Sequence, residues 1–323
     1  MISPRSQLLA LIEQGIIPQQ NIDEALRAAK FTPDGASWLG FLDRFFLWIG
    51  GLCIGAAALF FIAYNWSEIG RFGKFGFIEG CMILAIFFHW RSDASSIRGK
   101  VALLVATIFL GVLLALFGQT YQTGADPWQL FCSWALLMTP WAIIGRLPAL
   151  WIVWIALVNI SIFLCCSTYR GTFLFLFDTD VNQLWLPFCC NALALIAWEC
   201  CATKQPWLAQ SWAVRLIAVA VGAPITLLNA SNLFERGGGD LLAFLAWVAW
   251  LVAMYVVYRK IKPDLFMLAG CCLSAMIVVL SFFSKSLFNH VTMEGFFILA
   301  LLTVAMGAGA AFWLKNVHRE MHA

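Results

Sequence analysis

The chain has 323 residues, 62% of them hydrophobic and only 11% charged. A soluble domain is about half apolar and a quarter charged, and a water-soluble fold of this length cannot hide so much apolar surface, so a free-standing soluble globule is excluded. The formal charge of +3 is too small for a nucleic-acid surface, which leaves membrane lipids as the partner the composition demands.

The first forty residues carry Glu13, Asp23, Glu24, Arg27, Lys30 and Asp34 without an apolar run, which argues against a signal peptide. They read instead as a cytoplasmic arm, residues 1–40, of two short amphipathic helices. The first spans about Pro4 to Gln14, with Leu8, Leu9, Leu11 and Ile12 near one face and Gly15 as its C-cap. The second begins at Asn21, with Glu24 three residues on as in a capping box and Ile22, Leu26 and Ala29 as its apolar stripe. Thr32-Pro33-Asp34-Gly35 ends it. Such an arm packs on the membrane domain, on a second copy, or on the lipid surface.

From residue 41 to residue 314 the sequence is apolar runs separated by short polar breaks. It predicts membrane helices at 41–63, 72–90, 100–118, 128–145, 148–166, 184–201, 212–231, 240–258, 264–283 and 292–314. At 1.5 Å per residue each crosses a hydrocarbon core of about 30 Å, and only helices do so without stranding backbone polar groups in lipid. Residues 172–177 are too short to span and read as interfacial, and residues 315–323 read as a cytoplasmic tail. The fold class is therefore all-α: a polytopic transmembrane helical bundle of about ten membrane helices. Sixteen Trp and 28 Phe suit helices anchored at the lipid boundary.

Basic residues set the orientation. With the N-terminus inside, Arg71, Lys74, Arg170, Arg236 and Lys285 fall outside and the other fifteen of the 20 Lys and Arg fall inside. That bias predicts both chain ends in the cytoplasm and supports an even number of crossings.

Polar groups inside a membrane are costly and so are candidates for function. With this topology most lie in the outer half. Asn65, Trp66 and Glu68 end the first membrane helix, and Glu79 lies about two turns into the second. Gln119, Tyr121, Gln122 and Asp126 occupy the loop after the third, where Gly124 and Pro127 suit a turn and Asp126 suits a helix cap. Asn159 and Asn191 are mid-to-outer in the fifth and sixth helices, and Asn229 is near the outer end of the seventh. Asn65, Trp66, Glu79, Gln119, Tyr121, Asp126, Asn159, Asn191 and Asn229 form a candidate polar cavity open to the periplasm; the alternative is that each amide bonds a neighbouring helix. Glu79 is the sharpest single residue, because a carboxylate at that depth needs a partner, a proton or water. Glu199 and His89, nearer helix ends, carry less weight.

Gly51 and Gly55, and a second small-residue series at Ala305, Gly307, Gly309 and Ala311, permit close helix contact, either within the chain or in a homo-oligomer or with another membrane protein. Eleven Cys include the adjacent pairs Cys165–Cys166, Cys189–Cys190, Cys200–Cys201 and Cys271–Cys272; neighbours on a helix do not face each other, so these read as small apolar membrane residues. His318 and His322 have metal-pair spacing but sit in a charged tail. No nucleotide-binding, serine-hydrolase or zinc-protease motif occurs. The sequence therefore offers no catalytic residue, no metal ligand set and no cofactor.

Gly15-Ile16-Ile17 between the arm helices, Asn65-Trp66 at the end of the first membrane helix, and Gln119-Thr120-Tyr121-Gln122 through Asp126-Pro127 ahead of Trp134 and Pro140 form a pattern over roughly the first 145 residues. In these features the chain resembles the bacterial membrane proteins grouped as domain of unknown function 2157. The resemblance implies a multi-pass protein of the bacterial inner membrane whose activity is not established. It supplies no catalytic residues, but it draws attention to Asn65, Trp66, Gln119 and Tyr121. Three functions remain open: a non-enzymatic envelope protein that organises partners or senses membrane state; a secondary transporter or channel for a small solute or lipid-like molecule; and a membrane enzyme acting on lipid-linked substrates.

Overall fold

The computed structural model describes residues 11–12, 14–28, 35–65, 67–93, 96–169, 182–234, 240–287 and 293–322. Among them are eleven α-helices and no strand: α1 (Ile22–Ala28), α2 (Gly35–Tyr64), α3 (Arg71–Arg91), α4 (Ile97–Tyr121), α5 (Pro127–Gly145), α6 (Pro148–Thr168), α7 (Trp185–Ala202), α8 (Ser211–Asn232), α9 (Leu241–Val256), α10 (Leu265–Leu287) and α11 (Met293–His322). Nine of the long helices are long and apolar enough to cross a membrane. The tenth, α5, is 19 residues long. Gln129, Thr139, Pro140 and its tryptophans lower its hydropathy, although at 1.5 Å per residue it is still about 28 Å long.

The helices begin and end within a few residues of the predicted bounds, and three of the departures change how particular residues are assigned. α2 starts at Gly35 rather than residue 41. α4 runs on to Tyr121, so Gln119 and Tyr121 lie in its last turn and not in a loop. The left-handed backbone comes only at Gln122 (φ 44°) and Gly124 (φ 66°), because nothing before them breaks a helix. α11 continues to His322, since the polar residues after 314 include good helix formers.

In the arm, Gly15 has φ 68° and its N–H donates to the Ile12 carbonyl at 3.0 Å, the geometry of a helix-ending turn. The rest of the first arm helix, the break at Thr32-Pro33-Asp34, Trp66 and the interfacial segment 172–177 lie outside the described residues.

The chain forms two compact units, one ending at Phe109 and one starting at Leu110 within α4. In the first, the small residues of α2 meet α4: a Cβ added at Gly51 would lie 2.9 Å from Val101 Cγ1, and one at Gly55 would lie 2.9 Å from Ile108 Cγ2. That glycine pair is thus used for packing within the chain. Phe61 packs on Phe77 with ring centroids 5.1 Å apart, and the His89 ring bonds the Gly99 carbonyl at 2.8 Å across the α3–α4 connection.

In the second unit, α5 and α6 form an antiparallel hairpin. It turns at Arg146, which adopts left-handed backbone (φ 43°, ψ 41°), and at Leu147, whose extended backbone suits the proline that follows. α8 is the central helix. Ile217, Val221, Ile225 and Leu228 are at most 1% exposed and follow the helical repeat along one face. It packs on α7, α9 and α10. Gly222 lets the Trp250 ring of α9 approach, since a Cβ there would lie 2.8 Å from the ring. At its end α9 widens into a π turn, Val257–Ile261, where the Lys262 N–H donates to the Val257 carbonyl at 2.8 Å. Pro263 follows and lacks the N–H that a regular helix needs there.

Candidate functional site

Two of the residues singled out by sequence meet directly. Asn159 of α6 and Asn191 of α7 form a reciprocal amide pair: Asn159 Nδ2 donates to Asn191 Oδ1 at 2.9 Å, and Asn191 Nδ2 donates to Asn159 Oδ1 at 2.6 Å. Asn159 also donates to the Ile155 carbonyl at 2.8 Å, and Asn191 to the Pro187 carbonyl at 2.8 Å. Asn191, 1% exposed, reaches a third helix as well, sharing one of its two amide hydrogens with the Ala220 carbonyl of α8 at 3.3 Å. An α-helix pairs each carbonyl with the N–H four residues on. For Ala220 that residue is Pro224, which has no N–H. Asn191 therefore satisfies a carbonyl that the proline leaves open, and the pair ties α6, α7 and α8 together.

Further rungs follow the same pattern. Thr226 Oγ1 lies 2.5 Å from Ser274 Oγ of α10 and donates to the Gly222 carbonyl at 2.6 Å, while Trp247 Nε1 of α9 donates to Ser274 Oγ at 2.9 Å. Asn229 Nδ2 donates to the Ile225 carbonyl at 2.9 Å and across to the Ala243 carbonyl of α9 at 3.1 Å. Between α5 and α6, Trp154 Nε1 donates to Thr139 Oγ1 at 3.0 Å and Ser161 donates to the Trp128 carbonyl at 3.1 Å. Asn229 is well separated from the Asn159–Asn191 pair, because about nine residues of α8, roughly 13 Å, lie between it and Ala220.

The remaining sequence candidates are placed as follows. Asn65 ends α2 and donates to its own Phe61 carbonyl at 2.8 Å. Glu79 lies on the exposed face of α3 beside the fully buried Ile78. Both belong to the first unit. Gln119 and Tyr121 are exposed at the end of α4, with Tyr121 packed on Phe117 at 4.9 Å between centroids. Asp126 holds the N-cap position of α5 but makes no capping bond; its carboxylate accepts from Tyr169 OH at 3.4 Å. Thus Asn159 pairs with Asn191, whereas Asn229 sits in a separate set of bonds.

Two groupings escape a reading along the sequence. At the end of the second unit where α8 and α10 finish and α9 begins, a 550 Å³ cleft is lined by Asn229, Asn232 and Asp240 among Phe244, Trp247 and Phe282. Asn232 is 6% exposed, and its Nδ2 has no hydrogen-bond partner. Asp240 caps α9 by accepting from the Leu242 N–H at 2.9 Å. The polar string Asn229-Ala230-Ser231-Asn232 was the visible signal.

At the opposite helix ends, charges converge around the π turn. Glu199 of α7 accepts from Tyr258 OH at 2.8 Å and from Lys262 Nζ. Arg215 of α8 forks onto Asp264, at 3.0 and 3.2 Å, with its guanidinium 5.3 Å from the Phe266 ring centroid. Arg259 pairs with Glu320 of α11. Sequence alone does not bring these residues together, since their partners lie 49 to 63 residues away. Among the described residues no group of three or more His, Cys, Asp or Glu is arranged to hold a metal ion, and the eleven Cys are free thiols.

Long apolar helices bonded to one another through buried amides and hydroxyls define a multi-pass α-helical membrane protein. Within that class, residues 9–151, the segment carrying Gly15, Asn65, Gln119 and Pro140, are similar to the family described as "Predicted membrane protein (DUF2157)". The match ends at the start of α6. No curated protein and no solved structure matches the chain.

Proposed function

We propose that this chain is a non-enzymatic protein of the bacterial inner membrane, with both ends in the cytoplasm, that organises partners or senses the state of the membrane. The observation that carries this reading is the use made of the membrane-embedded polar groups in the second unit: Asn159, Asn191, Thr226, Asn229 and Ser274 are satisfied by carbonyls of their own helices and by groups on neighbouring helices. Groups held this way stiffen a bundle, whereas a solute path needs donors and acceptors free to face water. A helix as exposed as α11 is then the element whose position the surrounding lipid sets. The charge bias of the loops supports the orientation, which puts the Glu199–Lys262 and Arg215–Asp264 contacts on the inner face.

The test is amide hydrogen exchange on the full chain in vesicles of two acyl-chain lengths. The reading expects protection in α11 to change between them while α8 stays constant, and a counterflow panel of small solutes to show no saturable uptake. Saturable uptake with protection unchanged overturns it. A second reading, transport of a small solute or lipid-like molecule, draws support from the cleft beside Asn229 and Asn232. It expects uptake that falls when the cleft is filled and, if Glu79 carries the coupling ion, when Glu79→Gln is made.

A further inference from the structure

The cleft at the α8–α9–α10 end holds a donor that nothing in the protein uses. Asn232 is nine-tenths buried, yet its Nδ2 bonds to no acceptor. A buried polar group without a partner costs about 1–3 kcal/mol, so its presence in a cleft asks what would complete it. The cleft's 550 Å³ is within the range of small-molecule sites, about 300–1,000 Å³. Its mouth is apolar and faces outward from the bundle: Leu241 is 69% exposed, Phe244 47% and Phe282 57%.

The wall chemistry narrows the ligand. Among the described residues no Lys or Arg lines the cleft, and the charged side chain there is the carboxylate of Asp240. An anionic phosphate placed beside that carboxylate is repelled by it. A free hydroxyl fits both polar groups, since it accepts from an amide N–H and donates to a carboxylate. The aromatic walls and open apolar mouth suit hydrocarbon leaving the cleft sideways into lipid. From these features we infer that the cleft binds the headgroup end of a neutral, hydroxyl-bearing lipid of the diacylglycerol class, with the Asn232 amide as hydrogen-bond donor to the ligand oxygen.

The experiment uses full-length protein in nanodiscs with two photoactivatable probes carrying a diazirine in the acyl chain: a diacylglycerol and a phosphatidylcholine. Mass spectrometry of the digested protein maps the adducts. The diacylglycerol probe is expected to label peptides containing Phe244 and Phe282 at least fivefold more than the phosphatidylcholine probe, and unlabelled diacylglycerol should compete. Asn232→Leu should lower that labelling about fivefold, the loss of one hydrogen bond, while its midpoint for SDS unfolding stays the same or rises, because an unpartnered amide has been replaced by hydrocarbon. A merely structural Asn232 would lower the midpoint instead. Phe282→Trp, which fills the cleft from its exposed wall, should abolish labelling and serves if Asn232→Leu does not fold. Equal labelling by both probes, preference for the phosphatidylcholine probe, or labelling unchanged in both variants overturns the assignment.

Discussion

Helices α8 and α11 have similar lengths of apolar sequence and opposite surroundings. α8 is the buried axis of the second unit, whereas no residue in the most apolar stretch of α11 is buried. Apolar side chains do not explain the difference, because lipid tails accept Leu and Phe as readily as a protein interior does. The polar residues explain it. α8 receives Asn191 at the Ala220 carbonyl left open by Pro224, and reaches α10 through Thr226 and α9 through Asn229. On α11, Thr303 returns its hydroxyl to its own Leu299 carbonyl at 2.8 Å, and the contacts with α9 come late, at Trp313 stacked on Tyr255 and at Glu320 paired with Arg259. In lipid, what centres a helix is the set of groups that lipid cannot satisfy.

That contrast can be broken first by volume. Gly222→Val on α8 drives a side chain into Trp250 and should destabilise the protein by about 3 kcal/mol in SDS unfolding. Gly309→Val on α11, with no atom within 4 Å of its Cβ position, should move stability by less than about 0.5 kcal/mol. Equal losses at the two glycines would remove the distinction. Next comes Asn191→Leu, which strands the Asn159 amide and the Ala220 carbonyl and should cost about 2 kcal/mol by the same unfolding midpoint. Ser274→Ala, which takes the shared partner from Thr226 and Trp247, should cost about 1 kcal/mol. The smallest effect is expected from Thr303→Val, within about 0.5 kcal/mol of the parent protein, because its hydroxyl bonds only its own helix.

The positions of the membrane helices were legible because lipid demands about 20 consecutive apolar residues and Gly, Pro and charges interrupt them. The end of α4 was not, since Gln119-Thr120-Tyr121 are polar without being helix breakers. Asn159 and Asn191 were identifiable as costly residues, but their pairing was hidden: 32 residues separate them, and helical periodicity says nothing about which helix stands next to which. Pro224 gave a sign in retrospect, because a proline inside a helix leaves a carbonyl for some donor to find. Asn232 and Asp240 carry no distinguishing pattern in the sequence, because only packing reveals that one amide is buried without a partner.

The reciprocal bond between Asn159 and Asn191 bears most directly on whether membrane amides hold this bundle together. A double-mutant cycle with Asn159→Leu, Asn191→Leu and the pair, read by reversible SDS unfolding of the full chain, measures it. A favourable coupling of about 1 kcal/mol is expected, the double variant being less destabilised than the sum of the singles. Additive losses, or single variants as stable as the parent, would contradict the account.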